Sequence, residues 1–376
     1  MGKDILFLTP YNIFPPFWGG GTRTYNLIKH LSKENNVHVI MPSYRQFKDK
    51  KGLKHRRKLK EMDVEYELVG PGTSWIQYTN PLLFTKALKK TREEDIDLII
   101  CDYPWSGFYA LALHKLTQTP FFLMEHNVEF EVAEQTGYED PRLTKNLEGK
   151  LCDKASKVFC VCGSDKDKLC NEFGIPSGKV SVLDNGFDSD RFNMEDGDGK
   201  KIRKELGVGN DPLIFFCGKM DYVPNSEAVG LIYHEVMPRV LEEVPDAKFL
   251  IVGGGYNLGF SHESMIFTGV VDHLVDYLRA SDLVITPLRR GGGTRIKVLE
   301  AIGCGKDIVS TPKGVEGLIN EYTESFINVE KNWDDFADAV IEKITNGKDP
   351  KPRDEFFEKY AWENIYKKID PYIEAI

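Results

Sequence analysis

The residues with the clearest chemistry lie between Gly291 and Glu300, where three glycines precede an apolar helical pattern. The pattern predicts a helix that begins near Thr294 and carries Arg295 and Lys297 in its first turn. Cations in that turn oppose the helix dipole, so their presence is locally unfavourable. A bound anion would explain it, because the first amides of a helix are unpaired and partly positive. We therefore expect Arg295 and Lys297 to lie beside an anion.

A diphosphate fits this segment. The amides of Gly292, Gly293 and Thr294 form a nest that, together with Lys297, would neutralise the phosphates. Glu300 offers an acceptor for a ribose diol. The alternative, a solvated helix start, leaves the glycine triplet and the misplaced cations unexplained. These residues are therefore our candidate nucleotide-binding site.

A second glycine-rich loop, residues 14–22, leads into a helix predicted to begin near Thr22. Gly20 and Gly21 would let a ligand approach the backbone, and the helix start suits an anion or a sugar hydroxyl. A flexible surface loop is an equally good interpretation, since the run matches neither the dinucleotide fingerprint nor a P-loop. Gly20 and Gly21 enter the candidate site on that basis.

Two further candidates follow predicted strands of the second half. Lys219 comes just after the strand that ends at Cys217, where a cation can reach a diphosphate. Gly254 lies in a glycine run after another strand, where a base or ribose can pack against the main chain. A solvated lysine and an ordinary loop are the alternatives for these two positions.

His126 stands directly beyond an apolar strand of the first half and is our candidate for contacting the reacting sugar. A lone histidine is more often structural than catalytic, so its position carries the argument. The neighbouring Glu125, Glu129 and Glu131 are acids or bases in type, but acidic residues at a helix start are also ordinary capping material. For those three we favour the capping interpretation.

These side chains must be positioned by strands that alternate with helical patterns, which predicts parallel sheets covered on both faces. The predicted strands are Asp4–Thr9, Val37–Met41, Tyr66–Val69, Leu98–Cys101, Phe121–Met124, Val158–Val161, Val180–Leu183, Leu213–Cys217, Lys248–Val252, Met265–Thr268, Leu283–Thr286 and Asp307–Ser310. The helices predicted in the second half are Asn225–Glu243, Val271–Arg279 and Ile296–Ile302. Ligands bind at the carboxyl ends of such strands, so two sheets that face one another would create a cleft.

The 376 residues exceed what one core usually organises, and a Gly- and Asp-rich passage, Asp184–Asp211, has the composition of a connection. We predict an N-terminal Rossmann-like domain at 1–190 and a second at 191–354. Residues 355–376 form an amphipathic pattern that should dock as a helix.

Composition excludes several functions. A net charge of -9 opposes wholesale nucleic-acid binding. No run approaches the about 20 apolar residues of a membrane span, and the start of the sequence predicts no signal peptide. The seven cysteines favour buried thiols in a cytoplasmic protein over disulfides or zinc. A basic run at 45–60 is either a solvated loop or a contact with the inner surface of an anionic membrane.

Taken in order, these stretches resemble glycosyltransferases of the GT-B fold, specifically the retaining family four. The stretches that carry the resemblance are the loop 14–22, Glu125–Glu129, Val182–Asp188, Phe216–Asn225, Pro245–Gly253 and Pro287–Lys306. The resemblance implies two facing Rossmann-like domains, with the nucleotide-sugar donor on the C-terminal domain and a glycan or lipid-linked acceptor on the N-terminal one. It also implies a last helix that crosses back to the first domain, and neither a metal nor a further cofactor.

The sequence departs from the family pattern at two places. Of the two glutamates that the family spaces eight positions apart, Glu300 matches the second, which contacts the ribose, whereas Gly292 replaces the first, which contacts the sugar. The family's Arg and Lys on the diphosphate are also changed, with Lys219 at the first position and Asn225 near the second. Arg295 or Lys297 is then expected to supply the missing cation.

The implied reaction is front-face transfer with retention, in which the leaving diphosphate helps to accept the proton of the incoming hydroxyl and the protein positions reactants. The expected catalytic residues are His126, Lys219 and Lys297. The expected role of the enzyme is in the synthesis of glycans or cell-surface polysaccharides. Two alternatives stay open. One is a nucleotide-sugar epimerase of the same architecture, and the other is a non-catalytic nucleotide-sugar-binding subunit, which Gly292 suggests.

Overall fold

The structure is a computed structural model that describes residues 2–14, 16, 18–43, 57, 59–71, 80–193, 198–255, 258–347 and 350–376. The chain divides into two compact units. Unit 1 comprises Met1–Asp184 and Glu363–Ile376, and unit 2 comprises Asn185–Trp362. Most of the basic run 45–60 lies outside the described residues. Within them, no helix combines the length and apolar character that a membrane crossing requires.

Unit 1 contains a seven-stranded parallel sheet with the order β3-β2-β1-β4-β5-β6-β7. Its strands are β1 Asp4–Leu8, β2 Asn36–Ser43, β3 Glu65–Pro71, β4 Leu98–Asp102, β5 Phe121–Met124, β6 Lys157–Cys160 and β7 Val180–Val182. The central strands are short, mostly apolar and buried on both faces, as parallel sheets require. In register, Ile5 pairs with both Val37 and Leu98.

Helices cover this sheet. They are α1 Gly19–Leu31, α2 Pro81–Glu93, α3 Tyr103–Thr117, α4 Glu129–Thr136, α5 Pro141–Lys154 and α6 Gly163–Phe173. Asn80 and Asp140 cap α2 and α5, because each side chain accepts hydrogen bonds from two amides of the first turn. Helix α1 begins at Gly19, three residues before the predicted start at Thr22, so the glycine run is its first turn.

Unit 2 contains a six-stranded parallel sheet with the order β10-β9-β8-β11-β12-β13. Its strands are β8 Leu213–Cys217, β9 Lys248–Val252, β10 Met265–Gly269, β11 Leu283–Thr286, β12 Ile308–Ser310 and β13 Ile327–Val329. The two parallel sheets confirm the predicted fold class. Strand β13, in which all three residues are only partly buried, was not predicted.

The helices of unit 2 are α7 Gly199–Leu206, α8 Val223–Leu231, α9 Met237–Glu243, α10 Leu274–Ala280, α11 Ile296–Gly303, α12 Trp333–Asn346 and α13 Asp354–Tyr360. A π-helical turn, Ile232–Val236, joins α8 to α9 where the sequence predicts one continuous helix. Helix α11 begins at Ile296, two residues after the predicted start, so Arg295 is its N-cap residue.

The C-terminal stretch differs from the single helix predicted over 355–376. It consists of α13, α14 Trp362–Tyr366 and α15 Asp370–Glu374. Ala361 is extended and forms a β-bridge with Phe187, which ends α13. The division between units falls at this break, since residues through Trp362 pack in unit 2 and those from Glu363 onward pack in unit 1. The chain first passes from unit 1 to unit 2 after Asp184, whereas the predicted domain boundary lies at residue 190.

Candidate functional site

The glycine loop, residues 291–293, connects the end of β11 to α11 in unit 2. Gly291 has φ of +106°, a backbone conformation that disfavours any side chain, and Gly293 has φ of +62°. A Cβ at Gly291 would lie 3.3 Å from Tyr222 Oη and 3.6 Å from Pro224 Cγ. The loop therefore packs directly against the start of α8, where Tyr222 is the N-cap residue.

Two helix starts consequently meet at the glycine loop. Helix α8 begins at Val223 and α11 at Ile296, immediately after the loop. The first amides of each helix have no partner within the helix, and each start carries a partial positive charge. Such a place suits a phosphate, as the sequence predicts for α11 alone. The contribution of α8 was not predicted.

Lys297 lies between these two helices. Its Nζ donates hydrogen bonds to the Cys217 carbonyl oxygen at 2.6 Å and to Asn225 Oδ1 at 3.1 Å. The ammonium also lies 4.5 Å from the centre of the Phe216 ring. Burial lowers the pKa of Lys297 to about 8 because it disfavours the charged form. The side chain from position 297 thus places its cation beside Asn225, which lies near the place where the family resemblance leads one to expect a lysine.

Arg295 binds the glycine loop itself. Its Nη1 donates to the carbonyl oxygen of Gly292 and, at 2.8 Å, to that of Gly293. Thr294 is held by Asn185, whose Nδ2 donates to Thr294 Oγ1 at 2.9 Å and to its carbonyl oxygen at 3.1 Å. Asn185 was missed as a site residue, because its contact spans a long stretch of sequence.

Glu300 projects from the same helix and is partly buried. Burial raises its pKa to about 7, while Arg191 and Lys297 oppose the rise and Asp188 adds to it. Near neutral pH the carboxyl is therefore divided between its two protonation states. An ionised carboxylate is the better acceptor for a diol, so binding of a ribose would favour that form.

The remaining candidates of unit 2 lie on neighbouring loops. Lys219 is exposed and forms an ion pair with Asp221 at 3.0 Å. The carbonyl oxygen of Gly254 accepts a hydrogen bond from the Met220 amide at 2.8 Å, and a Cβ at Gly254 would lie 2.5 Å from Val270 Cγ2. These contacts give Gly254 a packing role, and its contact with a ligand stays a prediction, as does that of Lys219.

In unit 1, His126 lies at the carboxyl end of β5 and is buried. Its Nε2 lies 2.7 Å from Asp102 Oδ1. Tyr11 Oη and Thr24 Oγ1 also donate to Asp102 Oδ2, at 3.0 Å and 2.8 Å. Burial lowers the pKa of His126 and the Asp102 carboxylate opposes that effect. Because a carboxylate only accepts, Nε2 carries the proton, and in the neutral ring Nδ1 is the acceptor.

Tyr103 packs against the His126 ring with centroids 3.9 Å apart and planes 13° from parallel. Its φ of +63° is rare for an aromatic residue, so the surrounding packing must hold it there. A Cβ at Gly20 would lie 2.7 Å from Tyr103 Oη, and one at Gly21 would lie 2.9 Å from Trp18 Cε2. The structure therefore places Gly20 close to the Tyr103–His126 stack, in a helix turn rather than a flexible loop.

The acidic residues near His126 have different environments. Glu125 is fully buried, and neither carboxyl oxygen has a hydrogen-bond partner among the described residues. Burial, followed by the nearby Glu148, raises its pKa well above the usual value. Glu148 caps α4 by accepting from the amides of Glu129 at 2.8 Å and Phe130 at 3.1 Å. The capping group therefore comes from α5, which sequence reasoning missed.

Among the described residues, one group combines enough metal-ligating side chains to hold an ion: His38, Glu65 and Glu94. Lys90 Nζ already lies 2.7 Å from Glu65 Oε2 and 2.6 Å from Glu94 Oε1. The lysine thus supplies the positive charge that these carboxylates need. None of these residues belongs to the glycine-loop site.

Two family models match the chain. The model of Glycosyltransferase Family 4 matches residues 18–191, and that of Glycosyl transferases group 1 matches residues 211–346. The second match contains the glycine loop, Lys297 and Glu300. The first contains Gly20, Gly21 and His126.

Comparison with individual proteins also finds glycosyltransferases. An uncharacterized glycosyltransferase of Methanocaldococcus jannaschii is 27% identical over 298 residues, which cover 72% of this chain and 73% of that protein. The Escherichia coli UDP-Gal:alpha-D-GlcNAc-diphosphoundecaprenol alpha-1,3-galactosyltransferase is 23% identical over 301 residues, 75% of each chain. The crystal structure of Anabaena HepE in complex with UDP and glucose aligns with a TM-score of 0.77 at 17% identity, covering 100% of both chains.

The structural likeness extends over both parallel-sheet units, so it confirms the GT-B class of fold. The two family models together match most of the sequence, one in each unit. Residues 18–191 therefore form a domain of Glycosyltransferase Family 4, and residues 211–346 form a domain of Glycosyl transferases group 1.

Proposed function

We propose that this protein transfers a sugar from a nucleoside diphosphate sugar to a hydroxyl group of a glycan or lipid-linked acceptor, with retention of anomeric configuration and without a metal ion. The observation that carries the proposal is the meeting of two helix starts, the glycine loop and Lys297 at one place in unit 2. These groups are all positive or hydrogen-bond donors, as a diphosphate requires.

The roles of the residues follow from their positions. The amides of Gly292, Gly293 and Thr294 bind the phosphate oxygens, and Lys297 neutralises charge that develops as the diphosphate leaves. Arg295 holds the loop in shape through the two glycine carbonyls. Glu300 accepts from the ribose hydroxyls.

The likeness to a protein solved with UDP and glucose supports a uridine nucleotide as the first donor to test. His126 supports the sugar side of the reaction, since its Nδ1 is left to accept a hydrogen bond from a donor hydroxyl. Lys219 is a second cation for the diphosphate in this proposal. For the acceptor, a lipid-linked glycan is supported by the E. coli relative, whose name specifies a diphosphoundecaprenol acceptor. We place the reaction in the cytoplasm. In this proposal the basic run 45–60 contacts an anionic membrane surface, so binding to anionic vesicles should weaken as the salt concentration rises. Vesicle binding that does not depend on salt would contradict this contact.

Calorimetric titration with UDP and GDP, followed by transfer assays with their sugars, tests the proposal. We expect one of the two nucleotides to bind. Sugar transfer to an acceptor hydroxyl should continue in the presence of EDTA, and the product should have the same anomeric configuration as the donor. Lys297→Ala should weaken nucleotide binding by about 10- to 100-fold, as for loss of a charged hydrogen bond of about 1.5 to 3 kcal/mol. Unchanged affinity in this variant would remove Lys297 from the site.

The two alternatives have their own outcomes in the same assays. Incubation with the donor alone would yield an epimerised nucleotide sugar if the protein were an epimerase. Binding of the donor with neither transfer nor slow hydrolysis would instead indicate a non-catalytic binding subunit.

A further inference from the structure

An ion pair ties the glycine loop to α8. Arg290, the residue immediately before Gly291, places its Nε 2.7 Å from Glu227 Oε2 and its Nη2 3.1 Å from Glu227 Oε1. Two nitrogens of one guanidinium therefore lie close to two oxygens of one carboxylate, and the Nη2–Oε1 contact has hydrogen-bond geometry while Oε2 accepts no hydrogen bond among the described residues. One hydrogen bond and a second close charge contact restrict the orientation of the pair more than a single contact from a lysine would do.

The carboxylate of this pair is better shielded than that of an ordinary surface ion pair. The side chain of Glu227 is 21% exposed and that of Arg290 40%. By comparison, Arg239 of the same unit pairs with Asp338, whose side chain is 58% exposed. Exposed pairs of that kind contribute little to stability, whereas the deeper burial of Glu227 gives the Glu227–Arg290 pair more influence on local structure.

Glu227 belongs to the helix whose start faces the loop. Helix α8 begins at Val223, so Glu227 lies one turn further along it. On the other side of the loop, Lys297 of α11 bonds to Asn225 of the same helix. The loop is thus attached to α8 on both sides, once before Gly291 and once after Thr294. Between these attachments, the glycines have little intrinsic preference for one conformation.

We propose that the Glu227–Arg290 ion pair is a positioning device for the phosphate site. It holds the glycine loop close to α8, so that both helix starts and the loop amides can bind the same diphosphate. Glu227 and Arg290 act through the backbone of the loop and do not touch the ligand. The inference rests on the proposed function of that loop, and it adds two residues that no pattern in the sequence singles out.

The test compares four variants with the wild type, using UDP as the probe. Glu227→Gln removes the charge at constant size, and Arg290→Lys keeps the charge but loses the two-point contact. The double variant Glu227→Arg with Arg290→Glu restores a pair in reversed order. Asp338→Asn is the matched control, because it removes an ion pair of Arg239 elsewhere in unit 2. Each protein is measured by calorimetry with UDP, by thermal unfolding, and by amide hydrogen exchange of residues 291–294 without ligand.

We expect faster exchange at residues 291–294 in Glu227→Gln and Arg290→Lys, and a Kd for UDP raised about five- to tenfold, equivalent to about 1 to 1.4 kcal/mol. The reversed pair should recover part of both effects, and Asp338→Asn should show neither. Thermal unfolding should change little, which separates positioning from general stability.

Two results would overturn the inference. Unaltered exchange at residues 291–294 in Glu227→Gln would show that the pair does not hold the loop, whether or not UDP binds. Tighter UDP binding by this variant would show that Glu227 instead restrains Arg290 from the ligand. Failure of the wild type to bind any nucleoside diphosphate would contradict the proposed function, and the exchange data would still decide whether the pair orders the loop.

Discussion

His126 Nε2 lies 2.7 Å from Asp102 Oδ1, and this contact determines which nitrogen of the ring is left for a ligand. Asp102 also accepts from Tyr11 and Thr24, so its own orientation is fixed by the helix and loop that follow β1. The stacked Tyr103 restricts the ring from one face. A histidine oriented in this way presents Nδ1 in one direction, as a residue that accepts from a sugar hydroxyl must do.

Asp102→Asn tests this positioning role. An amide at position 102 can bond to either form of the imidazole, so the preference for a proton on Nε2 should be lost. We expect kcat to fall about 10- to 100-fold, the range for partners that orient metal-bound histidines, with a smaller change in KM for the donor. Nitrogen NMR of His126 should show the mixed tautomer directly.

Thr24→Val is the matched control for that variant. It also removes a hydrogen bond to Asp102 but leaves the carboxylate that faces His126. We expect a similar loss of thermal stability with an unchanged tautomer. If both variants lower kcat equally, Asp102 acts on stability alone.

Donor affinity should have a maximum between about pH 7 and pH 8. Lys297, with a pKa of about 8, must be protonated to bind a diphosphate, so affinity falls as pH rises through that value. Glu300, with a pKa of about 7, must be ionised to accept from the ribose, so affinity falls as pH decreases through that value. Titration calorimetry with an intact nucleotide sugar measures this profile without the second ionisation of a terminal phosphate.

Two variants test which residue causes the loss of donor affinity on each side of the pH maximum. Lys297→Arg keeps its charge at all these pH values, so the alkaline limb should disappear. Glu300→Gln should remove the acidic limb and weaken binding at pH 8. A wild-type profile that rises steadily would contradict the assignment to Lys297, and one that falls steadily would contradict the assignment to Glu300.

Gly292→Glu should alter sugar preference and spare nucleotide affinity. Unlike its two neighbours, Gly292 does not have a positive φ, so its backbone conformation accepts a side chain. The substitution restores the first of the two glutamates in the family pattern. We expect unchanged Kd for UDP and a changed ratio of kcat/KM among nucleotide sugars. A weaker affinity for UDP would mean that the new side chain disturbs the loop instead.

Stability should depend on pH through Glu125. Burial raises the pKa of its carboxyl well above the usual value, whereas in the unfolded chain the group ionises near pH 4.3. The free energy of unfolding therefore decreases as pH rises above that value, by about 1.4 kcal/mol for each unit until the folded group also ionises. In the Glu125→Gln variant the free energy of unfolding, measured by denaturant titration between pH 5 and 8, should decrease less steeply with pH. Glu134→Gln, at an exposed position of α4, should leave the slope unchanged.

The parts of the fold that rest on local pattern were predictable from sequence. Mostly apolar strands such as Leu98–Asp102 indicate a parallel sheet by themselves. Arg295 and Lys297 at the start of α11 lead to the prediction of an anion site, which stays a prediction.

Contacts between distant residues were beyond the sequence. Nothing near His126 indicates that Asp102 is its partner, and nothing near Glu129 indicates that Glu148 caps the helix. The direction of a long side chain was equally hidden. Arg295 bonds back to its own loop, whereas Lys297 reaches across to Asn225. Such choices are decided by packing in three dimensions and not by spacing along the chain.

The return of the chain to unit 1 after Trp362 imposes an order on biosynthesis. Tyr366 donates to the carbonyl oxygen of Arg23 at 2.7 Å, and Tyr372 lies 2.8 Å from Ser181 Oγ, so these late residues complete packing begun near the start. A ribosome must translate all of unit 2 before it releases them. Until then unit 1 lacks the packing that these residues supply, and a chain that terminates before residue 363 lacks it permanently.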